Sequence, residues 1–178
     1  MIIQIVERVI LFTDLHDFSI GMKELGETKT AAEFIQSYYE LCGDAIVAHG
    51  GMIIKYIGDA VLATFPEGGE ENAVLAAIDA RRGFGVLLEK YGITHRVEVE
   101  AGIGSGPVAF GEYGHSSHRE IDVFSDTVNQ TARIGHHIGI AVLKPVYEAV
   151  KTTFECRKLP DTTVKWLSEP LESWEIVH

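Results

Sequence analysis

The chain has 178 residues, 46% of them hydrophobic, with 18 Gly and 5 Pro, a composition that fits one folded domain with a sizeable core and excludes a disordered or fibrous chain. Lys and Arg number 15 against 26 Asp and Glu, and the net charge of -11 argues against a nucleic-acid backbone as partner. No segment reaches membrane-spanning length, and Met1 to Arg8 lacks the basic start, long apolar run and small-residue cleavage site of a signal peptide, so the expected location is the cytoplasm.

The first predicted strand is Val9-Ile10-Leu11-Phe12-Thr13, closed by Asp14. A helix is expected over Thr30–His49: Thr30 and Glu33 suit a capping box, Phe34, Tyr38, Leu41, Ala45 and Ile46 recur at helical spacing, and Gly50-Gly51 stops the run. Met52 to Lys55 and Ala60 to Phe65 read as a hairpin with Tyr56-Ile57-Gly58-Asp59 in its turn, which would hold Asp59 at the tip beside Lys55. A second helix covers Glu70 to Tyr91. Arg96 to Ala101 alternates as a half-buried strand, and Gly104-Ser105-Gly106-Pro107 is expected to turn it into another at Val108 to Phe110. Ile121 to Asp126 then feeds a helix capped by Ser125 or Asp126. Cys42 and Cys156 show no metal-ligand spacing and read as buried or idle thiols. Adjacent side chains on a helix diverge, so His136 and His137 are assigned to the surface or to a cap, as are His115 and His118 in their Gly/Ser-rich loop.

Two residue sets in this order carry chemistry. Asp14 and Asp59 each end an apolar strand with no basic neighbour to neutralise it, and two converging carboxylates suit a hard cation such as Mg²⁺, which keeps its other positions for water and phosphate oxygens. Either Asp taken singly is an ordinary strand-end residue. Asn129 and Arg133 stand four apart, on one face of the last predicted helix, where an amide and a guanidinium can act on one ligand; a solvated face with a surface Arg is the alternative.

Taken together, Phe12-Thr13-Asp14-Leu15-His16-Asp17-Phe18-Ser19, Lys55-Tyr56-Ile57-Gly58-Asp59 and Asp122 through Arg133 resemble, in that order, three motifs of the class III nucleotidyl cyclases, over about Val9 to Val177. The resemblance implies one catalytic domain over residues 1–178, an α/β (α+β) sandwich of ferredoxin-like type with a mainly antiparallel sheet and helices packed on one face. It implies an adenylate cyclase that makes 3',5'-cyclic AMP and pyrophosphate from ATP with two Mg²⁺ or Mn²⁺ ions. Asp14, Leu15 and Asp59 match the metal set, Asn129 the residue that orients the ribose, and Arg133 the transition-state residue. The backbone from Leu15 to Ser19, with Phe18 and Ser19 entering a helix, matches the phosphate cradle, and Lys165 falls at a second phosphate cation. Lys55 and Asp122 match the base-recognition pair: Lys can only donate and ionised Asp can only accept, which suits adenine and opposes guanine. The family's active sites lie between head-to-tail catalytic domains, which implies a homodimer.

Departures from the family pattern are Asp17 and Ser125 where Gly is usual, Glu100 where some members carry a phosphate-binding Arg, and the missing Gly after Lys165. Two other readings compete. A catalytically silent, cyclase-like module that binds nucleotide or a partner would have no chemical need for both aspartates together with Asn129 and Arg133. A diguanylate cyclase shares a similar metal hairpin, but its Gly-Gly-Asp/Glu-Glu-Phe signature is missing from Ile57-Gly58-Asp59-Ala60-Val61. A regulatory domain or protein outside these residues is left open, as is the choice between an excised domain and a stand-alone enzyme.

Overall fold

In the computed structural model, which describes residues 3–178, the run ending at Asp14 belongs to a thirteen-residue strand, β1 (Gln4–His16). Val9, Ile10 and Leu11 are all buried in succession, so both faces of the sheet are covered where β1 crosses it. The elements that follow are α1 (Phe18–Leu25), α2 (Thr28–Ala48), β2 (Met52–Ile57), β3 (Ala60–Pro66), α3 (Glu70–Tyr91), β4 (Glu98–His115), β5 (His118–Phe124), α4 (Asp126–Ile134), β6 (Ile140–Leu143), α5 (Lys144–Val150), β7 (Glu155–Lys158) and β8 (Ser173–Val177). The sheet order is β2-β3-β1-β4-β6-β8-β7, with β5 pairing back on β4, and the β4–β6 pair is parallel while the other pairs are antiparallel. This is the expected mixed α/β sandwich on a mainly antiparallel sheet. No described helix is long and apolar enough to cross a membrane.

One face of the sheet packs Val9, Leu11, Leu15, Val61 and Ala63 against Phe34, Tyr38 and Ile46 of α2 and Val74, Ala77 and Phe84 of α3. Cys42 is buried there, and desolvation pushes its thiol up to about 12, which makes it inert as a nucleophile. Contrary to the one-sided packing expected, α4 lies on the other face. There Ile10, Leu62, Val108 and Val123 meet Val128, and Ile134 packs with Ala141 and Leu143.

The crossing of α4 also explains a second correction: β4 runs unbroken through Gly104-Ser105-Gly106-Pro107, each paired with β1, instead of turning. Gly102, Gly104 and Gly106 share one side of the strand by its two-residue period. A Cβ at Gly102 would stand 2.3 Å from the Thr131 carbonyl oxygen, and one at Gly104 would stand 2.1 Å from Thr131 Oγ1. These glycines make room for a helix, not for a bend. Gly102→Ala must displace the backbone of α4, and a loss of about 1–3 kcal/mol is expected, read as a lower denaturant midpoint at unchanged slope.

Two smaller expectations shift. The helix α2 begins at Thr28, with Ala31 N–H donating to the Glu27 carbonyl at 3.1 Å, so Thr30 and Glu33 lie inside its first turns and form no capping box. Gly26, at φ 68, ends α1 just before, and the chain re-enters a helix without the two residues the capping box needs. In the hairpin, β2 continues to Ile57 and the turn shrinks to Gly58-Asp59. A bulge between Ile53 and Lys55 places Lys55 opposite Leu62, on the α4 side, where it meets Asp122.

Candidate active site

The two carboxylates meet. Asp14 stands near the end of β1 and accepts from the Leu15 N–H at 3.0 Å, while Asp59 stands in the β2–β3 turn, antiparallel pairing of β3 with β1 bringing the turn alongside. Partial burial and the neighbouring Asp14 push the Asp59 carboxyl up to about 6, with the Leu15 amide working against the shift. Such a pair binds a proton readily and would bind a divalent cation in its place. Among the described residues no group of three or more His, Cys, Asp or Glu side chains is set to hold a metal. Two carboxylates with the adjoining backbone nevertheless fit an ion that takes its remaining ligands from water and phosphate oxygens. Leu15 contributes only backbone, since its side chain is in the core.

At α1, the Asp17 carbonyl takes the Ile20 and Gly21 amides, which leaves the amides of Phe18 and Ser19 at the open first turn. Phe18 is half-buried against the core and Ser19 is exposed. Asp17 is the one described non-glycine residue at positive φ, 55°, a left-handed conformation that glycine adopts more readily. Its carboxylate lies 3.6 Å from His16 Nε2 and 3.5 Å from His95 Nε2. Glu100, the register partner of Asp14, is buried 2.8 Å from His16 Nδ1; desolvation pushes its carboxyl up and His16 opposes that. Both extra acids thus face histidines.

On α4, Ser125 caps the helix as expected, its Oγ accepting from Val128 N–H at 3.1 Å. Asn129 and Arg133 line one cleft of about 470 Å³ together with Asp126, Ala132, His136 and Trp166. His136 is exposed, as assigned, and it also reaches the carboxylates: its Nδ1 is 3.7 Å from Asp14 Oδ2. The signal was present, because positions 129, 133 and 136 follow the same four- and three-residue steps and the turn continues through Gly135, whose N–H donates to Thr131. Lys165 is exposed in the turn beside Trp166, and it is Trp166 that lines the cleft.

A neighbouring cleft of about 560 Å³ shares Asp126, Asn129 and Ala132 and adds Lys55, Phe12, Ile57 and Phe124. Lys55 Nζ bonds Asp122 Oδ2 at 2.6 Å and lies 5.6 Å from the centre of the Phe124 ring. Asp122 is fixed from its other oxygen by the Val123 N–H at 2.8 Å. The structure therefore pairs Asp14 with Asp59, Asn129 with Arg133, and Lys55 with Asp122.

A family model described as the adenylate and guanylate cyclase catalytic domain matches residues 3–176. An adenylate cyclase of Anabaena cylindrica is 34% identical over 132 residues, covering 70% of this chain and 26% of that protein. Adenylate cyclase 2 of Rhizobium meliloti is 30% identical over 136 residues, covering 72% and 36%. The chain thus spans little more than a third, at most, of the length of these relatives. Among solved structures, the adenylyl cyclase CyaB from P. aeruginosa superposes with a TM-score of 0.93 at 23% identity, over 100% of this chain and 97% of that one. The guanylyl cyclase Cya2 superposes with a TM-score of 0.87 at 21% identity, over 99% and 94%. Proteins named for either base share the fold, so the fold does not choose between bases.

Proposed function

The chain belongs to the adenylate and guanylate cyclase catalytic-domain family, and from that premise we propose that it converts ATP to 3',5'-cyclic AMP and pyrophosphate at sites shared by two copies of itself. The observation that carries the choice of ATP is the Lys55–Asp122 pair, closed at 2.6 Å beside the cleft that Asn129 lines. Opened by a base, Lys55 donates to adenine N1 and Asp122 accepts from the N6 amino group. Guanine would set its N1 donor against Lys55 and its O6 against Asp122, and two unmet buried groups reject it strongly.

Asp14, Asp59 and the Leu15 backbone would hold two Mg²⁺ or Mn²⁺ ions, which supply activation of the ribose 3'-hydroxyl and charge neutralisation on the phosphates. In the reaction the 3'-oxygen bonds to the α-phosphorus, the bond to the bridging oxygen of pyrophosphate breaks, and the hydroxyl proton is released. Asn129 orients the ribose for in-line attack. Arg133 sets its fixed charge against the negative charge that grows on the α-phosphate, a contribution of about 3–4 kcal/mol for one well-placed donor. The Phe18 and Ser19 amides, at the positive end of α1, receive phosphate oxygens, and Lys165 supplies a further cation from the turn beside Trp166. Residues 1–178 make up the catalytic domain of this reading.

Product analysis tests this reading. With Mn²⁺ or Mg²⁺, the purified chain is expected to form cyclic AMP from ATP and little cyclic GMP from GTP. Cyclic GMP as the major product would overturn the base assignment, and no product from either at concentrations where dimers form would favour the silent module.

A further inference from the structure

Behind the carboxylates, on the sheet face away from the clefts, α2 presents two consecutive tyrosines whose hydroxyls reach the two segments that carry them. Tyr38 is fully buried, and its hydroxyl lies 3.2 Å from the buried Thr13 Oγ1, one residue before Asp14. Tyr39 stacks on Tyr56 of β2 with ring centres 4.1 Å apart, and its hydroxyl donates to the Gly58 carbonyl, one residue before Asp59. Successive helix positions point about 100° apart, so a single turn of α2 spans the gap between β1 and the β2–β3 turn.

We propose that Tyr38 and Tyr39 are positioning residues that fix the separation of Asp14 and Asp59, each tyrosine gripping one carboxylate's segment from behind. The inference rests on the reading of the two aspartates as the metal pair. Its physical need comes from the turn: Gly58, at φ 63, has no side chain to pack and a wide choice of backbone conformations, so the position of Asp59 must be held from elsewhere. On the β1 side, the Tyr38 and Thr13 hydroxyls satisfy each other in the core, a pairing that is costly to undo. Partners one step removed from a metal ligand commonly change metal affinity by about 10–100-fold, and a grip through the neighbouring residue belongs at the low end, about tenfold.

The experiment titrates Mn²⁺ alone into the nucleotide-free protein and follows free Mn²⁺ by electron paramagnetic resonance, beside thermal unfolding. Tyr39→Phe keeps the ring and its stack and deletes the hydroxyl. It is expected to weaken Mn²⁺ binding about tenfold while the melting temperature stays within about 2 °C. In turnover, the half-saturating Mn²⁺ concentration should rise in step, with kcat at saturating Mn²⁺ and the KM for ATP unchanged. Tyr91→Phe, which removes a 3.0 Å bond between α3 and Ser37 of the same α2, should bind Mn²⁺ as the parent does. Parental Mn²⁺ affinity in Tyr39→Phe, or equal losses in Tyr39→Phe and Tyr91→Phe that track their melting temperatures, would overturn the brace. Mn²⁺ binding that Asp59→Ala leaves untouched would overturn the metal reading and the brace with it, whereas binding lost in Asp59→Ala but intact in Tyr39→Phe overturns the brace alone.

Discussion

Asp59→Asn is expected to abolish cyclic AMP formation and, at the same time, to raise the melting temperature of the metal-free protein at pH 8. The first effect follows from the loss of one of the two carboxylates proposed to hold the metal ions. Lewis-acid stabilisation of a phosphoryl transition state is worth several kcal/mol, so a fall of about 10³-fold or more is expected. The second follows from the same geometry without metal. Desolvation and the charge of Asp14 push the Asp59 carboxyl up to about 6, so above that pH the folded protein holds a carboxylate that would be better placed in water. The sign is fixed by linkage: a carboxyl whose folded pKa is raised destabilises the fold fully above the folded value, and the penalty vanishes below the unfolded value near about 4. The gain in melting temperature from Asn should therefore be present at pH 8, shrink as the pH falls through about 6, and be gone by about pH 4. A variant that melts at or below the parent temperature at pH 8 would show that the repulsion is relieved in the metal-free fold. Saturating Mg²⁺ should reverse the order, because only the parent gains from binding it.

This balance is the usual one at a site built for charge, where stability is given up locally for binding. The convergence of Asp14 and Asp59 was legible in the sequence. Carboxylates that end apolar strands without basic neighbours are readable from spacing alone, and so is the Asn129–Arg133 face of α4 with its Ser125 cap. What stayed hidden depended on contacts between distant segments. The Gly104-Pro107 stretch carries turn residues, yet its glycines alternate because α4 crosses above them, and no local window contains α4. Lys55 turns toward Asp122 through a bulge that leaves no mark on residue type. The approach of His136 to Asp14 was hidden for a different reason: the divergence of adjacent side chains places it at the surface, where it is, but the relation that leads to Asp14 is the helical step from Asn129 and Arg133. The tyrosine pair on α2 reads in sequence as core stripe, and Tyr38 is core, but the hydroxyls find Thr13 and Gly58 only once the sheet is assembled.

Mixing an Asp14→Ala chain with an Arg133→Ala chain, each inactive alone, is expected to restore activity. The α4 face supports a shared site by what it leaves uncovered: Ile57, Phe124 and Trp166 are 49%, 51% and 60% exposed around the clefts, and Ile121 beside them is 46% exposed. Large apolar side chains gathered around polar clefts mark an interaction surface, which a second copy would cover. In an isologous pair each of two sites would draw Asp14 and Asp59 from one copy and Lys55, Asp122, Asn129 and Arg133 from the other. A mixed dimer then has one site with both lesions and one with neither. Random exchange makes about half the dimers mixed, each half active, so recovery to about a quarter of the parent rate is expected. The contrary geometry has its own physical basis, since His136 already places the end of α4 at 3.7 Å from Asp14 within one chain. If Arg133 served the aspartates of its own chain, every site in the mixture would carry one lesion. Mixed dimers isolated through two different tags and still inactive would thus assign the whole constellation to a single copy, and a quarter-rate recovery would assign it to two.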